Sequence, residues 1–191
     1  QNYIWGLLGV ARLQTVFERL SVCPGCGILG ELRRVLDLFC QGLVRNLTEE
    51  EREYLQDFIT RFYDFGDSES FADTANQVDT GDNQALQVFD MNGNSMFTCM
   101  HIFLDKCIYA FCGGFENVEN AEPAETDFIA CTLMEDYYLR TCEGDIRDLP
   151  QIREETSRIW SDCEFVQAEP DMQAVVERMD GYRKLDILSR S

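Results

Sequence analysis

The chain has 191 residues, and among them are one histidine and nine cysteines, so the side chains that could act as base or nucleophile are few. A serine or cysteine nucleophile needs a base, ordinarily histidine, held in place by an acid. Asp105 follows His101 by four residues, and on a helix that spacing puts both on one face, within reach of an imidazole–carboxylate pair. The cysteines are Cys23, Cys26, Cys40, Cys99, Cys107, Cys112, Cys131, Cys142 and Cys163. Scattered along a chain with a single histidine, they make a poor metal set and a good disulfide framework, and disulfides persist in oxidising compartments. The reading is therefore a secreted, extracellular protein with four disulfides. Nine is odd, so one cysteine is left unpaired or bonds a second chain. Cys23-Pro24-Gly25-Cys26 is a C-x-x-C, but a redox dithiol wants a strand before it. The preceding stretch reads helical, which makes this motif a structural corner.

His101 and Asp105, beside the run Asp105-Lys106-Cys107-Ile108-Tyr109, resemble the active-site helix of secreted calcium-dependent phospholipases. In that family the His is followed directly by Asp and then by Cys and Tyr; here the acid stands four residues late. Cys23-Pro24-Gly25-Cys26-Gly27 is similar to the family's glycine-rich calcium loop. The resemblance implies a calcium-dependent phospholipase-like activity that depends on His101, and both departures alter the geometry that activity requires. Asp90-Met91-Asn92-Gly93-Asn94 repeats the alternate-oxygen spacing of a calcium loop, but Ser95 stands where glycine is needed and His101 where glutamate is needed. No metal ligand, cofactor or catalytic residue is assigned, and the reading leans against an enzyme.

The segments that position these residues read as helices. Asn94 to Gly114 is the most apolar run, with a capping Asn94 or Ser95 and a stop at Gly113-Gly114, and it is taken as the central helix. Cys99 and Cys107 stand ~12 Å apart along it, and Cys107 and Cys112 about 7.5 Å apart on faces turned ~140°. Neither pair meets the Cα separation of roughly 7 Å and the facing geometry that a disulfide needs, so each cysteine must reach another segment. Residues 3 to 20 form a first helix with Val10, Leu13, Phe17 and Leu20 on its stripe and Arg12 and Arg19 off it. The leading stretch through Tyr3, Ile4, Trp5, Gly6 and Gly9 is expected to be extended, because each glycine costs about 1 kcal/mol inside a helix.

Ile28 to Leu47 is the clearest amphipathic pattern, carrying Leu32, Val35, Leu36, Phe39 and Leu43 on one face with Cys40 beside them. Thr48-Glu49-Glu50-Glu51 makes a capping box that opens a third helix to about Phe65. Residues 66 to 84 form a long acidic loop without apolar period, and Leu86 to Met91 fits one short strand or a lead into the central helix. Further helices start at Thr126 or Asp127 (carrying Cys131 and Cys142), at Pro150 (Ile152, Ile159, Trp160 and Cys163) and at Pro170 (Met172, Val175, Val176 and Met179). The expected fold is all-α: one domain over residues 1 to 191, a compact disulfide-tied bundle of six or seven helices.

Composition bounds the function. The 45% of hydrophobic residues suffices for a core, no stretch reaches the roughly 18 apolar residues of a membrane span, and a start at Gln1 fits a mature chain whose leader has been removed. The net charge of −19 repels nucleic acid and anionic membrane surfaces. Charge is uneven, with five Arg against three acids in residues 1 to 47 and twelve acids against two Arg in residues 48 to 90. Asn46-Leu47-Thr48 is an N-glycosylation sequon, so Asn46 is expected to carry a glycan. The first reading is a non-enzymatic extracellular structural or assembly protein acting through its surface, self-associating through Tyr3, Ile4 and Trp5 or by charge. The alternative is a carrier of a small apolar ligand such as a lipid.

Overall fold

The computed structural model describes residues 2–21, 25–66, 100–113 and 150–185. Within them lie α1 (Asn2–Leu20), a 3-10 turn (Gly27–Glu31), α2 (Leu32–Val44), α3 (Glu49–Gly66), α4 (100–112), α5 (Pro150–Gln167) and α6 (Met172–Tyr182). These six helices make an all-α bundle, and no described residue is in a strand. Outside the described residues lie nearly all of the expected acidic loop, the candidate strand at Leu86 to Met91, the caps Asn94 and Ser95, and the helix carrying Cys131 and Cys142.

The post of the bundle is α1. Ile4, Trp5, Leu7, Leu8, Val10, Ala11, Leu13 and Phe17 are buried on all its faces, which is the pattern of a helix packed all round. It meets α2, α5, α6 and the 3-10 turn. The apolar run at 94–114, expected to be central, supplies α4, which buries Met100, Phe103, Leu104, Cys107 and Ile108 but leaves Tyr109 exposed. A left-handed Gly113, φ +69°, ends it, and the Gly113 N–H donates to the Tyr109 carbonyl at 2.9 Å.

The leading stretch is helical, not extended, and its glycines explain why. A Cβ added at Gly6 would lie 2.9 Å from the Phe103 carbonyl oxygen and 3.0 Å from Cys107 Sγ, and one at Gly9 would lie 2.6 Å from the Phe103 ring. The two glycines open a groove into which α4 settles, so their propensity cost is offset by close packing. Gly9→Ala is expected to regain about 1 kcal/mol of helix propensity and lose about 1–3 kcal/mol to overpacking. Denaturant unfolding should show a net loss, relieved when Phe103 is trimmed to Leu in the same chain. A gain in stability would mean that α4 does not sit in this groove.

The amphipathic patterns of α2 and α3 appear as expected, with Leu32, Val35, Leu36, Phe39, Leu55, Phe58, Ile59 and Phe62 buried. Gly27–Glu31 winds as a 3-10 turn, so α2 starts at Leu32, and an extended Arg45 at φ −150° ends it after Val44. Thr48 and Glu51 form the capping box: the Thr48 N–H donates to Glu51 Oε2 at 2.8 Å and the Glu51 N–H to Thr48 Oγ1 at 3.3 Å. In α6 the N-cap is Asp171, whose carboxylate accepts from the Ala174 N–H at 2.8 Å. An aromatic seam fills the interior, with Phe39 stacked on Phe111 at 5.5 Å, Tyr3 edge-on to Phe111 at 5.9 Å and Phe58 against Phe62 at 5.6 Å.

The disulfide ties expected of this bundle are absent among the described residues. Cys26, Cys40, Cys107, Cys112 and Cys163 carry thiols; Cys23, Cys99, Cys131 and Cys142 lie outside the described residues. Cys107 and Cys112 sit in separate packing niches. Cys107 Sγ lies 3.7 Å from the Tyr3 carbonyl under α1, and Cys112 Sγ lies 3.8 Å from the Arg52 carbonyl on α3. Each acts as a small hydrophobe whose weak S–H donor reaches a backbone acceptor, and the odd count then requires no intermolecular bond. In unreduced, denatured protein all five thiols should take an alkylating reagent, and in the folded protein Cys107 should resist it. A cross-linked peptide containing any of the five would overturn this assignment.

Candidate functional site

Two buried polar clusters interrupt the apolar interior. The first contains the only histidine. Tyr63 on α3 donates its hydroxyl to Asp105 Oδ2 on α4 at 2.7 Å, and its ring meets the His101 ring edge-on. His101 Nε2 stands 3.8 Å from Asp105 Oδ2, too far for a hydrogen bond. The pairing expected from the four-residue spacing is thus a near approach, because the Tyr63 hydroxyl has taken the facing oxygen. Asp105 Oδ1 is buried and has no hydrogen-bond partner among the described residues. Burial lowers the His101 pKa to about 4 and raises that of Asp105, against which the Tyr63 hydrogen bond works. At neutral pH the imidazole is uncharged.

The second cluster was not singled out in the sequence. Asp162 on α5 is fully buried. One of its oxygens accepts from Arg12 on α1, and the other accepts from Arg178 Nε at 2.6 Å and from the Tyr182 hydroxyl at 2.5 Å. The Arg12 guanidinium lies 5.7 Å from the centre of the Tyr182 ring and that of Arg178 4.7 Å from the Phe165 ring. Burial, then donation to Asp162, pushes the Tyr182 phenol up to about 12. Asp162 thus joins α1, α5 and α6 at one point, in the role expected of disulfides. A signal for it existed: Asp162 stands three residues after Ile159 and four before Val166, on the buried stripe of α5. A charge on an apolar stripe must find a partner inside.

The remaining singled-out residues are spread through the bundle. Burial pushes the thiols of Cys40 and Cys112 up to about 11 and that of Cys107 well above its ordinary value, so none is a ready thiolate at neutral pH. Ile4 and Trp5 are buried in the chain's own core and Tyr3 is half-buried against it. Asn46 is exposed at the junction of α2 and α3. Among the described residues no group of three or more His, Cys, Asp or Glu side chains is placed to hold a metal ion, and no helix is long and apolar enough to cross a membrane. No family model, curated protein or solved structure matches the chain.

Proposed function

We propose that the chain is a non-enzymatic extracellular structural or assembly protein that acts through an acidic surface on a basic partner. The observation that carries this reading is where the reactive groups lie. His101 is held neutral by burial, and the Cys40, Cys107 and Cys112 thiols are held protonated, so the groups best suited to nucleophilic or acid–base work are withdrawn from it. Charge selects the partner. Arg12, Arg33, Arg45, Arg52, Arg61, Arg158, Arg178 and Arg183 are each paired with a carboxylate of the same chain. The acids outnumber the bases by 19, so the field beyond those pairs is negative and draws cationic surfaces. Head-to-tail contact of two copies finds its cationic half already engaged.

The extracellular part of the reading rests on the sequon at Asn46, since the described cysteines no longer support it. A lipid carrier needs space between the helices, and the Phe39, Phe58, Phe62 and Phe111 rings occupy that space along the described seam. Sedimentation of the intact chain, alone and with a basic globular protein, is the test. A complex is expected at low salt, dissolving as ionic strength rises toward 1 M and the screening length falls to ~3 Å. Monomers in every condition at micromolar concentration would sink this reading. A stoichiometric lipid in an organic extract would favour the carrier, and calcium-dependent fatty-acid release abolished in His101→Gln would establish the phospholipase-like enzyme.

A further inference from the structure

The sequon at Asn46 has two polar members, and the fold accounts for only one of them. Thr48 is the helix cap of α3, with its hydroxyl engaged by the Glu51 N–H. The surrounding turn is pinned by Arg45, which donates to the Asn46 carbonyl at 3.0 Å and to the two Glu51 oxygens at 2.8 and 2.5 Å. Leu47, between the two, is buried in the core. The side-chain amide of Asn46 takes part in none of these contacts and points from an exposed position. A bulky substituent there displaces no internal contact, and Val44, 64% exposed two residues earlier, gives it apolar surface to cover.

We propose that Asn46 is N-glycosylated and that its glycan covers the end of the bundle where α2 passes into α3. The inference deepens the extracellular part of the reading above, with which it shares the sequon; what argues for it independently is the exposed Asn46 side chain on a turn held by other residues. In the modification the Asn46 amide nitrogen bonds to the anomeric carbon of a glycosyl diphosphate donor; the bond from that carbon to the phosphate oxygen breaks, the diphosphate leaves, and the amide proton passes to a base. Because Asn46 is not needed for the turn, Asn46→Gln should abolish the modification and leave the melting transition unchanged. Thr48→Ser keeps both the capping oxygen and the sequon, and should retain glycan.

The test is expression of the full chain behind a secretory leader in eukaryotic cells, with mass analysis of the chain from both medium and cells. The expected result is a population whose mass falls on treatment with an N-glycan amidase, leaving aspartate at position 46, and Asn46→Gln of unchanged mass. A chain recovered unmodified from the medium overturns the glycosylation while leaving secretion standing. A chain found only inside the cells but modified at Asn46 supports the site and counts against secretion. An unmodified chain in both fractions overturns the site.

Discussion

Replacing Asp162 with alanine is expected to cost about 3–5 kcal/mol, the loss typical when one member of a buried ion pair is removed and its partner is left charged and dry. Arg12, whose side chain is 2% exposed, loses this carboxylate inside the core, whereas Arg178 is 25% exposed and can turn toward water. The Tyr182 hydroxyl loses its acceptor as well. Denaturant unfolding measures the loss, and phenol titration gives a second, independent readout. The Tyr182 pKa, raised to about 12 by burial and by Asp162, should move back toward its ordinary value. Replacing the whole pair, Arg12→Met with Asp162→Leu, should recover much of the stability, because an apolar pair of similar volume avoids desolvating two charges. A loss below about 1 kcal/mol in Asp162→Ala, within the range of an exposed pair, would mean that water reaches this cluster and that it does not hold α5 and α6 to α1.

How much of this architecture the sequence discloses depends on whether the cause is local. Helices α2 and α3 are legible because Leu32, Val35, Leu36 and Phe39, and then Leu55, Phe58, Ile59 and Phe62, recur at helical spacing. The box at Thr48 and Glu51 closes within three residues. The role of α1 is hidden, since Gly6 and Gly9 weigh against a helix until the Phe103 backbone and ring are placed against them. Arg12 falls off the apolar stripe of α1, yet it is buried because its partner stands 150 residues away.

Cysteine chemistry is hidden for the same reason. Spacing along one helix excludes the pairs Cys99–Cys107 and Cys107–Cys112, but whether Cys107 meets a second sulfur is decided by the faces of other segments. In the fold, Cys107 meets the Tyr3 carbonyl. The histidine site is half legible: spacing puts Asp105 beside His101, and the intervention of Tyr63, 42 residues before the acid, has no trace in that local pattern.

The same cluster should make stability depend on pH in a direction set by burial. His101 has an ordinary pKa of 6.5, lowered to about 4 in the fold, so between those values the unfolded chain binds more protons and stability falls as the solution is acidified. The full stabilisation is present above pH 6.5 and is lost by about pH 4. A shift from 6.5 to about 4 corresponds to ~3 kcal/mol, and a side chain 14% exposed needs little discount for screening. Asp105 acts in the opposite sense. Its raised pKa means that the fold prefers the protonated acid, so above its ordinary value of 3.8 the folded chain holds the extra proton and acidification through that window restores some stability. Protonation of the many surface acids also relieves the self-repulsion of a strongly negative chain. The measurement that isolates the imidazole is the difference between the chain and His101→Gln in denaturant midpoint, followed from about pH 7 to about pH 4. The wild-type chain should lose on the order of 3 kcal/mol relative to the variant across that range, with the change centred between the two His101 values. Parallel profiles would show that His101 stays solvated in the fold.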